Sequence, residues 1–491
     1  MRAQVTLREA LADPALLGSA LSGDSWATWR ALLVAMMGEP LTNAERTRFT
    51  AVTGRECEPL QRVEEFLGVI GRRGGKDRAA SVLATYLAAL VDWSHILAPG
   101  ERPIVLCIGP DERQAKITLR YIEGVLGTSP ILAGMVTNKT ADTIELNNGI
   151  AIESRASNFR RIRGVTAVAV IATEAAFWFD ETGSGNSDTE ILNAIRPALA
   201  TTGGPLIIIT SPYRRRGEVW NIFKDHFGAD GDPQILVAQG ASNILNPTLP
   251  QKVIDRAMAR DMASAQAEYF AQFRTDLADY VAREAVEDCI DRGVRERPPR
   301  GDVSYAAFID PSGGSSDSMT LAIGHLDDKD HVVIDVLREI TAPFDPESAV
   351  GEFVTTLRNY GIRKVVGDRY GGAWASQAFE KRMIRYEHSD RNKSELYVDL
   401  LPRLNARTVA LLDNPRAVNQ ICGLERRTAR GGRDSIDHGP GGHDDLANVI
   451  AGVSSTLGAG ISRQMGGGMW TTDRWGVPTF VPVDDMRGGP F

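Results

Sequence analysis

Residues 64–93 read EEFLGVIGRRGGKDRAASVLATYLAALVDW. A short apolar run meets a glycine-rich turn, and the turn opens a stretch with helical period. A strand, a tight turn and a helix in that order make GRRGGKD (71–77) a phosphate-loop candidate. In such a loop the amides of Arg72, Arg73, Gly74 and Gly75 and of the helix start surround phosphate oxygens, and Lys76 reaches the β/γ positions. The match to G-x-x-x-x-G-K-[ST] is incomplete. Ile70 stands where the first glycine belongs, and Asp77 replaces the hydroxyl residue that contacts magnesium. A plain glycine turn with solvated Lys and Arg is the alternative.

Working outward, short apolar runs recur at 104–109, 143–154, 167–172 and 205–211, with helical segments between several of them. This alternation predicts an α/β domain with a largely parallel sheet over residues 60–275. Residues 1–59 read as helical pieces joined to it. The polar stretch DRGVRERPPRGD (291–302) marks the best boundary, so 276–302 is expected to be a linker. Three strands then follow in succession (SYAAFID, SMTLAIGH, HVVIDVL), before a helix and the strand KVVGD; a second α/β domain is expected over 303–457. The glycine-rich stretch 458–491 is expected to be a flexible tail.

The chain has 491 residues, enough for roughly two to four domains. Its net charge of −8 and pI near 5.6 count against a nucleic-acid partner. Clustered cations at Arg155–Arg163, Arg214–Arg216 and Arg426–Arg433 weaken that inference, because basic strips can lie on an acidic body. Cys57, Cys107, Cys289 and Cys422 form no CxxC pair, so four buried thiols in a reducing cytoplasm are expected. The first residues carry acids where a signal peptide is apolar, and no run of about 18 apolar residues occurs. An intracellular, soluble chain is the expectation.

The run TAVAVIA ends in Thr173-Glu174. A nucleotide-hydrolysing strand of this kind normally ends in Asp-Glu, with the Asp in the magnesium shell and the Glu orienting the attacking water. Here only the Glu is present. The two departures, Asp77 on the loop and Thr173 on the strand, suggest an exchange of the usual hydroxyl and carboxylate; an N-terminal helix acid and an ordinary strand-end residue are the alternative. Thr210-Ser211-Pro212 closes the next strand and is placed to sense the γ-phosphate, or is simply a turn. Arg160, Arg161 and Arg163 are candidates for an arginine finger or a DNA-phosphate contact.

Further along, Asp310 and Asp368 fall at strand ends and Asp444-Asp445 at the start of a late helix. Carboxylates from three separate elements suit two Mg²⁺ ions about 4 Å apart, which together hold an attacking water and a leaving 3′ oxygen. The order of strands and acids matches a ribonuclease H topology. Asp317, His438 and His443 are nearby candidates for supporting roles, or loop residues without one.

GRRGGKD after a strand, RGVTAVAVIATEAAFW, IIITSPYRRRG, AAFIDPSGGSSDS, VVGDRYGG and HDDLANVIAG together resemble the large terminase subunit of tailed bacteriophages, in order from residue 60 to about 455. The resemblance implies a P-loop ATPase followed by a ribonuclease H-like nuclease. It implies ATP and Mg²⁺ as cofactors, with Mn²⁺ an option in the nuclease. Lys76 would be the phosphate-loop lysine, Glu174 the catalytic glutamate and Thr210 to Pro212 the coupling motif, with Gln61 as an adenine-side candidate. Asp310, Asp368 and Asp444 or Asp445 would be the nuclease metal ligands. The implied partners are double-stranded DNA, the portal protein, a small terminase subunit and further copies of the chain in a ring, a pentamer by family. The implied place of action is the procapsid portal in the host cytoplasm. The competing readings are a helicase or repair ATPase, a resolvase- or transposase-like nuclease, and an inactive portal-binding adaptor.

Overall fold

A computed structural model of the chain describes residues 2–157, 164–178, 187–228, 231–315, 317–368, 372–428, 434–439, 442–465, 468–472 and 478–482. The described residues form two compact units, one made of those from 2 to 276, the other of those from 277 onward.

The first unit is built on an eight-stranded sheet. Its strands are β1 (Glu65–Ile70), β2 (Pro103–Gly109), β3 (Val136–Lys139), β4 (Thr143–Leu146), β5 (Ala151–Ala156), β6 (Thr166–Thr173), β7 (Leu206–Thr210) and β8 (Ile235–Gly240). The spatial order is β8-β1-β7-β6-β2-β5-β4-β3, parallel except for the hairpin pairings at the β5-β4-β3 edge. β6 is buried along nearly its whole length, as a strand covered on both faces must be, and therefore reads as a continuous apolar run. Side chains of β1 alternate between two cores: Phe66 and Ile70 pack on one face, Leu67 and Val69 on the other. The first face is covered by the N-terminal helical segment, including α1 (Ala27–Met36), and by α2 (Lys76–Ala89). The run 143–154 is not one strand but the hairpin β4–β5, and β8 is a strand the periodicity did not announce.

The second unit has a sheet in which Ile290–Asp291 is followed by β14 (Val409–Leu412), β11 (Val332–Ile340), β10 (Met319–Leu326), β9 (Ala306–Asp310), β12 (Lys364–Gly367) and β13 (Arg385–His388). The meander β9-β10-β11 is antiparallel, while β12 and β13 add in parallel beside β9. The helices that matter for the site are α3 (Lys393–Ala406), α4 (Pro415–Cys422) and α5 (Asp445–Met465).

Two expected boundaries move. The supposed linker 276–302 contributes a strand (Leu277–Asp279) paired with Leu424–Thr428 and a helix (Arg283–Glu287), and it buries Tyr280, Val281 and Val286 in the second unit's core. Those apolar side chains outweigh the charged residues that made the stretch look like a spacer. Helix α5 continues to Met465, beyond the expected end of the domain at 457, and Gly468–Thr472 pairs with Pro478–Pro482 in the stretch expected to be a featureless tail.

α5 lies very close to the sheet. A Cβ on Gly452 would fall 2.2 Å from the Phe308 ring, so only glycine permits this approach. Gly452→Ala is expected to destabilise the second unit by about 1–3 kcal/mol in denaturant unfolding; unchanged stability would contradict the close packing.

Candidate functional site

The first cluster sits where β1, β6 and β7 end on one edge of the sheet. Gly71 lies so near its surroundings that a Cβ would meet Ser242 Oγ at 2.5 Å and the Tyr269 carbonyl at 2.7 Å. Arg73 (φ 67°) and Gly75 (φ 83°) take left-handed backbone, which turns the chain sharply into α2. Gly75 caps α2 without a side-chain hydrogen bond, so the amides of Lys76, Asp77 and Arg78 have no partner within the helix. From α1, Trp29 Nε1–H donates to the Gly74 carbonyl at 2.7 Å, so the N-terminal segment braces the loop.

Lys76 is buried, 6% exposed. Its Nζ lies 2.8 Å from Glu174 Oε1 and donates to Ser211 Oγ at 2.8 Å. The Ser211 amide in turn donates to Glu174 Oε2 at 3.1 Å. Glu174 is held in left-handed backbone (φ 54°), an uncommon conformation for a residue with a side chain. Thr210 Oγ1 accepts from the Ala176 amide at 3.2 Å, which ties the end of β7 to the turn after Glu174. One loop, two strand ends and four side chains therefore form a single network.

The remaining predicted residues fall around it. Burial pushes the Asp77 carboxyl up, with Lys76 opposing and Glu174 adding to the shift, so Asp77 shares the site's electrostatics. Thr173 is buried at the end of β6, and its hydroxyl donates to the Ile108 carbonyl at 3.1 Å. The exchange with Asp77 would thus leave Thr173 only its oxygen lone pairs to offer. Arg72 turns outward to pair with Glu268 at 2.8 Å, and the Arg73 carbonyl accepts from Asn246 Nδ2 at 3.0 Å. Arg160, Arg161 and Arg163 lie outside the described residues. The orphan amides, the buried lysine and the glycine turn fit a nucleoside triphosphate.

The second cluster depends on register. Ile309 pairs with Gly367 in the parallel ladder of β9 and β12, so Asp310 and Asp368 follow as neighbours at one sheet edge. Burial pushes the Asp310 carboxyl up to about 7; a hydrogen bond from Asn448 opposes this, and Asp445 and Asp368 add to it. Asn448 Nδ2 donates to Asp310 Oδ2 at 2.7 Å.

Asp444 and Asp445 are adjacent in sequence but differ in use. Asp444 is 2% exposed, and Lys393 Nζ and Tyr397 O–H from α3 donate to its two oxygens at 2.6 and 2.8 Å. Asp445 Oδ2 is buried with no hydrogen-bond partner. Nor is its carboxylate needed as a cap, because Gln420 on α4 accepts from the Leu446 and Ala447 amides at 2.7 and 3.2 Å. Asp445 is therefore the oxygen donor left for a cation. Burial pushes its carboxyl up, Asp444 and Asp317 add to the rise, and His443 opposes it, so Asp317 and His443 also belong to this neighbourhood. His438 is occupied locally, its Nδ1 2.9 Å from the Gly439 carbonyl.

Hard oxygen donors and an orphaned carboxylate oxygen fit Mg²⁺ or Mn²⁺. Among the described residues, no three or more His, Cys, Asp or Glu side chains converge tightly enough to enclose an ion as they stand. Lys393, Tyr397, Gln420 and Asn448 were not picked out from the sequence. Only Asn448 left a signal there, three residues after Asp445 on a helix.

No protein-family description and no curated protein sequence matches the chain. Among solved structures its fold is similar to the HK97 bacteriophage large terminase (13% identity, 80% of this chain and 91% of that chain, TM-score 0.34). It is also similar to a large terminase from a thermophilic bacteriophage in complex with ADP (12% identity, 80% and 94% covered, TM-score 0.34). A third similarity is to the large terminase nuclease from thermophilic phage G20c with bound magnesium (18% identity, 35% and 94% covered, TM-score 0.31). In fold, the chain is similar to phage large terminases.

Proposed function

We propose that the chain is the motor subunit of phage DNA packaging: its first unit hydrolyses ATP to move double-stranded DNA into the procapsid, and its second cuts concatemeric DNA with two cations. The observation that supports this best is the presence, in one chain, of a buried loop lysine held against a strand-end glutamate and of two strand-end aspartates in neighbouring register beside a helix-start aspartate. An inert adaptor has no need of either cluster.

In the first unit, bound ATP would supply phosphate oxygens to the uncapped amides of α2 and to Lys76. Lys76 then leaves Glu174 Oε1, which becomes free to accept the proton of an attacking water. Glu174 Oε2 still holds the Ser211 amide, and Ser211 Oγ loses its lysine donor, so the change at Lys76 is passed to the end of β7. We assign coupling to DNA movement to this connection. Asp77 is the candidate for the magnesium shell on the loop. In the second unit, bound Mg²⁺ would activate a water and steady the leaving oxygen. Asp310, Asp368 and Asp445 would hold the cations, and Asp444, anchored by Lys393 and Tyr397, would fix the start of α5. By the resemblance of its motifs, the chain works as a ring on the portal protein with a small terminase subunit, in the cytoplasm of the infected cell.

Lys76→Ala and Glu174→Gln are each expected to lower ATP turnover at least ~100-fold while plasmid cleavage persists. Asp368→Ala and Asp445→Asn are expected to do the reverse, and Asp444→Asn to cost less cleavage than Asp445→Asn. ATP turnover that survives both ATPase changes would sink the first assignment; cleavage that survives Asp368→Ala would sink the second.

The pH dependence has a definite sign. The Asp310 carboxyl sits at about 7 in the folded chain, against about 4 for a free carboxyl, so the folded state holds the proton more tightly. Stability of the metal-free chain is then expected to fall as pH rises from about 4 to about 7. Cation affinity should climb over the same interval and level off above it. Mn²⁺ titrations by calorimetry at several pH values test this, and an affinity independent of pH across the window contradicts it.

A further inference from the structure

Helix α5 carries Asp445 and Asn448 three residues apart, on one face. Asn448 is fully buried. Its Nδ2 is spent on Asp310 Oδ2 at 2.7 Å, whereas its Oδ1 is buried with no partner. Asp445 Oδ2 is in the same condition. Buried oxygens without donors are uncommon, and a hard cation or its bound water satisfies such atoms. Lys393 and Tyr397 already occupy Asp444, so the free oxygen donors at the start of α5 are Asp445 and Asn448.

We propose that Asn448 is a positioning residue of the cation site: its amide fixes one oxygen of Asp310 so that the other faces the cation, and its own carbonyl oxygen completes the cation shell, directly or through a bound water. The proposal rests on the nuclease reading. An amide suits this place because it adds a hard oxygen without adding charge. Asp310 is already repelled there by Asp368 and Asp445, and a fourth carboxylate would raise that repulsion in the metal-free chain.

The test uses the full chain with Mn²⁺ as the probe, followed by calorimetry and by the Mn²⁺-induced rise in melting temperature. Asn448→Leu is expected to weaken Mn²⁺ binding about tenfold or more. It should also raise the Mn²⁺ concentration needed for half-maximal plasmid cleavage by a similar factor, with partial recovery at high Mn²⁺. Asn448→Asp restores an oxygen and removes the amide donor, so its Mn²⁺-induced rise should exceed that of the wild type. If Asn448→Leu binds Mn²⁺ like the wild type while Asp310→Ala does not bind it, Asn448 is only a core polar residue and the proposal fails alone. Should Asn448→Leu not fold, the Asp variant decides, and a rise no larger than wild type overturns the proposal. A wild-type chain that binds no Mn²⁺ overturns the nuclease reading and this inference with it.

Discussion

Parallel pairing brings the C-terminal ends of neighbouring strands to one edge of a sheet, and both candidate sites are built on that constraint. In the first unit β1, β7 and β6 lie side by side, so the phosphate loop, Ser211 and Glu174 emerge together although they are far apart in the sequence. In the second unit β9 and β12 do the same for Asp310 and Asp368. Reversing either strand would send its functional residue to the opposite edge. The chemistry of both clusters is therefore a consequence of strand direction before it is one of side-chain choice.

Once there, the charged groups need partners. Lys76 is almost wholly buried, and its charge is tolerable only because Glu174 and Ser211 surround it. In the proposed reading the same contacts would keep Glu174 occupied until phosphate draws the lysine off. In the acidic cluster the balance is different. Three carboxylates share a poorly solvated edge, and the cost appears as the raised position of Asp310 and Asp445. Lys393 relieves part of it by pairing with Asp444, while Asn448 relieves another part through a neutral hydrogen bond.

Much of this was legible in the sequence because it is local. The strand–turn–helix grammar of 64–93 marks the phosphate loop, and an acid at the end of an apolar run marks Glu174, Asp310 and Asp368 without knowledge of their neighbours. What the sequence could not disclose depends on partners distant in the chain. Asp444 and Asp445 look equivalent until Lys393 and Tyr397, about fifty residues upstream, are seen to claim the first of them. The bond from the Thr173 hydroxyl to the Ile108 carbonyl on the adjacent strand, which uses its proton and leaves its oxygen lone pairs, is another partner the sequence does not show. The stretch 276–302 looked like a spacer because its charges dominate its composition, whereas three buried apolar side chains decide its place.

In the proposed reading, strand direction gathers Asp310, Asp368 and Asp445 into a cation site from which Asp444 is withheld. Anomalous diffraction from crystals of the chain soaked in Mn²⁺ measures this directly. Anomalous peaks are expected between Asp310, Asp368 and Asp445, with Asp444 still bonded to Lys393 and Tyr397. Peaks seated on Asp444, or no peak at that edge at saturating Mn²⁺, would contradict it.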